Sequence, residues 1–256
     1  MLPNFLIIGA ARCGTTTVYR QLQVHPDVYL PADKRPEPHF FFKDQEFRRG
    51  LTYYEERYFA NWRGEHAVGE ASTSYVFGPH VPVRVRAALP SAKFICLLRN
   101  PVDRAFSSYW HTRRAGLETL CFEEAIAQEQ SRKQQIAGTE LGEIAPFAYV
   151  ERGFYYRQLV HWLQQFDRPA IKIVVFEDFL QTPDQVLSEI ARFIGIAPEW
   201  PRLALQAENK SVPADTDMSS EMRMRLCEVF RDDIEALETL LGRSLRDWLK
   251  PRGGQC

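Results

Sequence analysis

Short apolar runs and amphipathic stretches alternate along this chain. Residues 5–8 form an apolar run, and a helical pattern of apolar positions begins near Thr15 after a glycine-containing loop. Residues 93–98 form a second apolar run, and Asn100 and Pro101 follow it as a typical N-cap and first helical residue. The repeated order of strand, loop and helix predicts parallel strands connected by helices.

The same order continues in the second half of the chain. Residues 171–176 read as a third buried strand, and an amphipathic pattern over about 151–166 predicts a helix before it. After this strand, Thr182 and Pro183 predict the start of another helix, and Gly195 predicts its end. We therefore expect an α/β fold of three layers, with a central, mostly parallel sheet flanked by helices.

A long amphipathic helix is predicted near the end of the chain, over residues 220–241, with Gly242 as its stop. Its apolar stripe consists of Leu226, Val229, Phe230, Ile234, Leu237 and Leu241. We find no internal repeat and no linker. The chain is therefore expected to form a single domain over residues 1–256, with a disordered tail from about 250 to 256.

Composition and charge exclude several classes of partner. The 32 basic and 33 acidic side chains give a net charge of -1, which does not favour nucleic acid as a partner. The apolar runs are shorter than the ~20 residues of a membrane span. Five cysteines without C-x-x-C spacing predict free thiols, and a start without a basic leader predicts a cytoplasmic protein. The histidines show no metal-ligand spacing, so no metal site is expected.

The loop after the first strand has the character of a phosphate-binding loop. It reads Gly-Ala-Ala-Arg-Cys-Gly-Thr-Thr-Thr over residues 9–17, where backbone amides and a helix N-terminus can hold an anion. The candidate binding residues are Ala11, Arg12, Cys13, Gly14, Thr15, Thr16 and Thr17. The glycine spacing is that of a P-loop, but Thr15 stands where nucleotide kinases have lysine. The fold prediction is therefore P-loop-like, and a small-metabolite kinase becomes an alternative rather than the first interpretation.

A second anion site is predicted after the strand at 93–98. Arg99 stands at the carboxyl end of this strand, the edge where open parallel sheets bind ligands. Ser107 lies eight residues later, about two helical turns on, and the two side chains can meet at one phosphate. Two separate anion sites predict a bisphosphorylated nucleotide. The alternative is an ordinary helix entry, with Ser107 bonded to its own helix.

Several segments together resemble one enzyme family. Residues 9–16 resemble the 5′-phosphosulfate loop of sulfotransferases that use 3′-phosphoadenosine 5′-phosphosulfate (PAPS), and residues 98–109 resemble their 3′-phosphate motif. Residues 36–41, Pro-Glu-Pro-His-Phe-Phe, are similar to the Lys-Glu-Pro-His-Phe-Phe stretch of the heparan sulfate and bacterial branch, with Pro36 replacing the lysine. Further similar segments, in the same order, are 69–75, 153–155, 176–179 and 241–248.

The resemblance implies transfer of a sulfuryl group from PAPS to a hydroxyl of a small molecule, lipid or glycan, without a metal. It implies Glu37 as the catalytic base, and Arg12 in place of the family's loop lysine. His39 either shares in acid–base chemistry or is a packed structural residue. Lys210, within Asn-Lys-Ser at 209–211, is the nearest match to the family's late basic loop. A non-catalytic nucleotide-binding protein that kept the fold is a further alternative.

The proposed chemistry follows from these assignments. Glu37 takes the proton of the acceptor hydroxyl during an in-line transfer. Arg12 and the loop amides stabilise the charge that develops on the sulfuryl oxygens and on the departing phosphate. Adenosine 3′,5′-bisphosphate (PAP) is the nucleotide product.

Overall fold

The computed structural model describes residues 1–31, 37–139, 142, 145–204, 212–213 and 216–250. Contacts group the described residues into two compact units. The first unit is formed within Met1–Arg99 and Gln158–Glu208, and the second within Asn100–Arg157 and Asn209–Cys256. The single domain expected from the sequence stays a prediction, and the tail at 251–256 lies outside the described residues.

A five-stranded parallel sheet forms the centre of the first unit. Its strands are β1 (Phe5–Gly9), β2 (Val28–Tyr29), β3 (Ala67–Ala71), β4 (Lys93–Leu98) and β5 (Ile171–Val175), in the order β2-β3-β1-β4-β5. Every residue of β1 and β3 is buried. Parallel strands buried along their whole length are typical of a sheet covered on both faces by helices. The predicted α/β class is confirmed.

The sequence pattern did not reveal β2 and β3. Strand β2 has only two residues, and β3 reads Ala-Val-Gly-Glu-Ala, which contains no apolar run. Tertiary contacts hold β3 beside β1: the Asn4 amide donates to Val68 O at 2.8 Å, and the Val68 amide donates to Asn4 Oδ1 at 2.9 Å. The ring of Phe5 occupies the place where a Cβ on Gly69 would lie.

The helices are described here in chain order. They are α1 (Thr15–Gln23), α2 (Asp44–Phe47), α3 (Gly50–Phe59), α4 (Val81–Ala88), α5 (Pro101–Arg114), α6 (Phe122–Ala127), α7 (Glu129–Gln135), α8 (Tyr155–Leu163), α9 (Phe176–Gln181), α10 (Pro183–Ile194) and α11 (Ser220–Leu241). Short 3-10 turns lie at Glu151–Gly153, Arg168–Ala170 and Arg246–Leu249. Within the described ranges, none of these helices is both long enough and apolar enough to cross a membrane.

The predicted helix ends agree with the structure where local signals determine them. Helix α5 begins at Pro101, and the side chain of Asn100 accepts the amides of Val102 at 3.0 Å and Asp103 at 3.4 Å. Helices α10 and α11 have their predicted bounds and end before left-handed glycines. One member of the predicted stripe on α11, Val229, is exposed because it lies at the edge of the buried arc.

Helix α8 begins later than the predicted residue 151. It starts at Tyr155, after a 3-10 turn, within the second unit. The carboxylate of Asp233, on α11, accepts the amide of Tyr156 at 2.9 Å and that of Arg157 at 3.2 Å. An N-terminal cap from a distant side chain leaves no signal near the helix itself, which explains the wrong start.

Candidate functional site

The predicted phosphate loop lies at the carboxyl edge of the sheet in the first unit. It joins β1 to α1, and the amide of Ala10 donates to Leu97 O of β4 at 2.8 Å. On the other side, a Cβ added to Gly9 would lie 2.5 Å from Val76 Cγ1 and 3.2 Å from Thr73 O. The start of the loop is thus fixed between strand β4 and the chain segment that leaves β3.

Gly14 shapes the N-terminus of α1. It is the N-cap with φ 84, and its carbonyl accepts the amides of Thr17 at 3.1 Å and Val18 at 3.3 Å. A Cβ at this position would lie 2.7 Å from the ring of Phe176. The amides of Gly14 and Thr15 have no intrahelical acceptor at this end of a helix, and its first turn carries no acidic residue. The arrangement fits an anionic group.

The remaining loop residues have two kinds of environment. Ala11, Thr16 and Thr17 are partly exposed, whereas Thr15 is buried. Cys13 is also buried, and its amide donates to the carbonyl of Ala10 at 3.2 Å. The backbone of Cys13 therefore helps to maintain the shape of the loop. Assignment of these residues to nucleotide binding stays a prediction.

Two arginines meet at this loop. Nη1 of Arg99, at the end of β4, donates to Arg12 O at 3.5 Å, and both side chains are partly exposed. The guanidinium of Arg99 lies 5.2 Å from the ring centroid of Phe176, the residue that also covers Gly14. Two cations beside helical amide donors create a positive local field in a chain of nearly zero net charge. Among the described residues, no group of three His, Cys, Asp or Glu side chains has a geometry that could hold a metal.

The structure does not test the other two predicted nucleotide contacts. Ser107 is buried in α5, which belongs to the second unit. Its convergence with Arg99 on one phosphate stays a prediction. Lys210 lies outside the described residues.

The carboxylate of Glu37 is held by the segment that leaves β3. Its Oε2 accepts the amide of Thr73 at 3.1 Å and the hydroxyl of Thr73 at 2.7 Å. The same oxygen lies 3.4 Å from Nε2 of His39. The side chains of Glu37 and His39 are 21% and 27% exposed, so solvent or a ligand can reach both. The structure brings the predicted base and the predicted histidine together.

His39 has a strained but well-supported backbone. Its φ of 49 lies in the left-handed region, which a non-glycine residue rarely adopts. Its amide donates to Ser72 Oγ at 2.9 Å, and its carbonyl accepts the amide of Lys43 at 2.8 Å. Its Nδ1 lies 2.6 Å from Ser74 Oγ. The following residue, Phe40, is fully buried, whereas His39 is partly exposed.

Three hydroxyl residues after β3 and a buried glutamate were not assigned a role from the sequence. Ser72, Thr73 and Ser74 hold Glu37 and His39, as described above. Behind them, Glu70 is fully buried and accepts hydrogen bonds from the hydroxyls of Tyr54 at 3.0 Å and Ser72 at 2.9 Å. Burial raises the pKa of Glu70 to about 7. In the sequence, the run of three consecutive hydroxyl residues at 72–74 was the one signal that could have indicated this role.

Comparison with known proteins gives a consistent result. A family model described as sulfotransferase domain matches residues 2–229. Human bifunctional heparan sulfate N-deacetylase/N-sulfotransferase 2 is 27% identical over 282 residues, which cover 97% of this chain and 31% of that protein. The membrane-associated sulfotransferase kil1 of Dictyostelium discoideum is 24% identical, with 96% and 66% of the two chains covered. This chain thus spans about a third of the length of its heparan sulfate relatives.

Solved structures agree with the predicted fold. A sulfotransferase from Alicyclobacillus acidocaldarius is 35% identical, with a TM-score of 0.83 over 98% of this chain and 100% of that chain. The sulfotransferase domain of the Synechococcus PCC 7002 olefin synthase has a TM-score of 0.53 at 15% identity over 94% of both chains. The second likeness concerns the fold alone. The P-loop-like α/β fold predicted from the sequence is confirmed.

Proposed function

Because the chain belongs to the sulfotransferase-domain family, we propose that it transfers a sulfuryl group from PAPS to a hydroxyl on an acceptor molecule. The observation that carries this proposal is the position of the Glu37 carboxylate. It is bound to Thr73, and the carbonyl of Thr73 borders Gly9 at the start of the anion-binding loop. A fixed carboxylate beside an anion site suits removal of a proton next to an anionic donor.

The residues of the loop fit the donor. PAPS supplies, when bound, a sulfuryl group on a phosphate leaving group. The guanidinium groups of Arg12 and Arg99 provide charge-assisted hydrogen bonds to phosphate or sulfate oxygens. The amides of Gly14 and Thr15 provide further donors at the positive end of α1. Glycine is required at position 14 because a Cβ there would overlap the ring of Phe176.

The remaining chemistry belongs to Glu37 and His39. One carboxylate oxygen of Glu37 accepts the proton of the acceptor hydroxyl as the acceptor oxygen becomes sulfated. Thr73 holds the carboxylate through Oε2, and Nε2 of His39 faces the same oxygen. The imidazole is itself held by Ser74 at Nδ1. Arg12 and the loop amides stabilise the negative charge that develops opposite the base.

The acceptor belongs to the classes expected from the sequence, a hydroxyl-bearing small molecule, lipid or glycan. The heparan sulfate relatives are named as N-sulfotransferases, which makes an amine on a glycan the second candidate. An amine also has to lose a proton, so Glu37 serves either acceptor. We propose a cytoplasmic enzyme without a metal requirement or nucleic-acid partner. The free thiols of Cys96, Cys121 and Cys227 support a reducing compartment.

Ligand-induced stabilisation tests the donor site. PAP with EDTA should raise the melting temperature by about 5–10 °C at a hundredfold excess over its Kd. The Arg99→Ala variant should lose most of this shift, whereas Arg192→Ala, which removes an exposed arginine of the same unit, should retain it. A shift with ATP and magnesium but none with PAP would overturn the proposal in favour of the kinase.

Transfer of labelled sulfate from PAPS tests the reaction itself. Hydroxyl-bearing and amine-bearing saccharides are compared as acceptors, together with simple alcohols and phenols. Glu37→Gln should lower kcat by about 10²–10⁴-fold and preserve the thermal shift with PAP. Equal turnover by Glu37→Gln would remove Glu37 as the base. A PAP shift without transfer to any acceptor would favour the non-catalytic nucleotide-binding alternative.

A further inference from the structure

Glu70 is a buried carboxylate that the reaction described above does not use. It lies in β3 and is fully buried. Its Oε1 accepts the hydroxyl of Tyr54, and its Oε2 accepts the hydroxyl of Ser72. Tyr75 provides a further side-chain hydrogen bond. A buried carboxylate costs considerable free energy unless hydrogen bonds compensate it, so three hydroxyl donors around one glutamate call for an explanation.

Ser72 connects this carboxylate to the candidate site. A serine hydroxyl has a single proton. Because Ser72 Oγ accepts the amide of His39 at 2.9 Å and lies 2.9 Å from Glu70 Oε2, its proton points to Glu70. The charge of Glu70 therefore fixes the direction of the Ser72 hydroxyl. It also polarises Ser72 Oγ, the oxygen that accepts the amide of His39.

The backbone of His39 needs such support. A left-handed conformation at a residue with a Cβ costs about 1–3 kcal/mol and persists only where neighbouring groups hold it. The bond to Ser72 secures the amide of His39, and the amide of Lys43 secures its carbonyl. This conformation, together with the contact between Nδ1 and Ser74, sets the imidazole so that Nε2 faces Glu37.

We propose that Glu70 is a positioning residue for the reaction, acting through Ser72 on the backbone of His39 and thereby on the geometry of the His39 and Glu37 pair. The inference rests on the function proposed above. It adds to that function a residue that touches neither donor nor acceptor. If Glu70 acts in this way, it directly determines the orientation of the His39 imidazole in the free enzyme.

The groups that face Glu70 determine how it responds to pH. They are the tyrosines Tyr54 on α3, Tyr75 after β3 and, farther away, Tyr58, together with the carboxylate of Glu37. Burial raises the pKa of Tyr54 and Tyr75 well above 10, so both remain donors throughout the neutral range. Burial raises the pKa of Glu70 itself to about 7. Protonated Glu70 donates through one oxygen and accepts through the other, so the hydroxyl of Ser72 loses the charge that directs it.

Three substitutions, of Glu70 and of two of its hydrogen-bond donors, separate positioning from general stability. Ser72→Ala removes the connection to His39 and leaves the carboxylate in place. Tyr54→Phe removes a hydrogen bond of similar length to the same carboxylate but leaves the connection intact. Tyr54 also packs on Phe40 with ring centroids 4.3 Å apart, an arrangement that phenylalanine preserves. Glu70→Gln removes the charge.

The first measurement is the tautomer and nitrogen chemical shifts of His39, in free enzyme labelled with ¹⁵N-histidine and assigned with His39→Asn. Ser72→Ala and Glu70→Gln should move the His39 signals, whereas Tyr54→Phe should leave them at their wild-type positions. The second measurement is turnover with the acceptor found above. Ser72→Ala should lower kcat about tenfold, with the KM for PAPS unchanged, and alter the pH profile of kcat near neutrality.

Wild-type His39 signals in Ser72→Ala would overturn the proposal, even if the melting temperature falls. Equal displacement of these signals by Ser72→Ala and Tyr54→Phe would also overturn it, because the effect would then be a general loss of packing. If Glu70→Gln does not fold, the His39 signals of Ser72→Ala alone decide whether the proposal holds. Failure of PAP to stabilise the wild-type enzyme would refute the proposed function instead, and the NMR result on free enzyme distinguishes the two cases.

Discussion

The carboxylate of Glu37 and both polar groups of Thr73 meet at one oxygen, although the residues lie 36 positions apart in the sequence. The amide of Thr73 comes within 3.1 Å of Oε2 and the hydroxyl within 2.7 Å. Two donors on one oxygen determine the plane and direction of the carboxylate. Thr73 thus connects the loop that carries the proposed base to the sheet that carries the predicted anion site.

Removal of the Thr73 hydroxyl should impair catalysis more than binding. Thr73→Val keeps the shape and the backbone amide but loses a hydrogen bond to a charged group, worth about 1.5–3 kcal/mol. We expect kcat to fall about 10- to 100-fold, with an unchanged thermal shift from PAP. Thr73→Ser, which retains the hydroxyl, is the control and should remain near wild-type activity. Wild-type turnover in Thr73→Val would show that this bond does not orient the base.

A side chain at Gly14 should disrupt the anion site. Gly14 and Gly50 have nearly equal φ values, 84 and 82, but only Gly14 has a neighbour, Phe176, within 4 Å of an added Cβ. Gly14→Ala should therefore destabilise the protein by about 1–3 kcal/mol more than Gly50→Ala and should abolish the PAP shift. Urea unfolding measures the first effect. Equal losses in both variants would mean that Phe176 moves aside without cost.

The pKa of Glu70 predicts a pH-dependent stability. Burial raises this pKa from the ordinary 4.5 to about 7. Between these values the folded state holds a proton that the unfolded state has released, so stability falls as pH rises through this window and the loss is complete above pH 7. The loss attributable to Glu70 is about 3 kcal/mol. Between about pH 5 and about pH 8, the unfolding free energy measured with urea should fall by roughly this amount more in the wild type than in Glu70→Gln. An equal fall in both proteins would contradict the prediction.

Asp233 should be important for the second unit because it caps α8. Asp233→Ala leaves the amides of Tyr156 and Arg157 without their acceptor and should cost about 2 kcal/mol of unfolding free energy. The adjacent Asp232 is exposed, and Asp232→Ala should change stability by no more than about 0.5 kcal/mol. Denaturant unfolding of both variants provides the comparison. Similar values would show that α8 does not depend on this cap.

Local patterns in the sequence were sufficient for much of the fold. Strands β1, β4 and β5 are largely apolar, with Lys93 at the start of β4 and Lys172 within β5 as the charged residues. The starts of α1 and α5 carry their own signals in Gly14 and in Asn100 with Pro101. The phosphate loop and the order of motifs led to the family, which the comparisons confirm. Each of these features is contained in a few neighbouring residues, so the sequence determines it directly.

The arrangement around Glu37 and His39 required the tertiary structure. Ser72, Thr73 and Ser74 contact residues 33 to 36 positions away in the sequence, and serine and threonine are common in loops. Their roles depend on β3, which lacks an apolar run and is held by its neighbours. The sequence by itself predicted which residues carry the proposed chemistry. Only the packing of β3 against β1 decided how they are oriented, because hydrogen bonds between distant segments leave no periodic pattern along the chain.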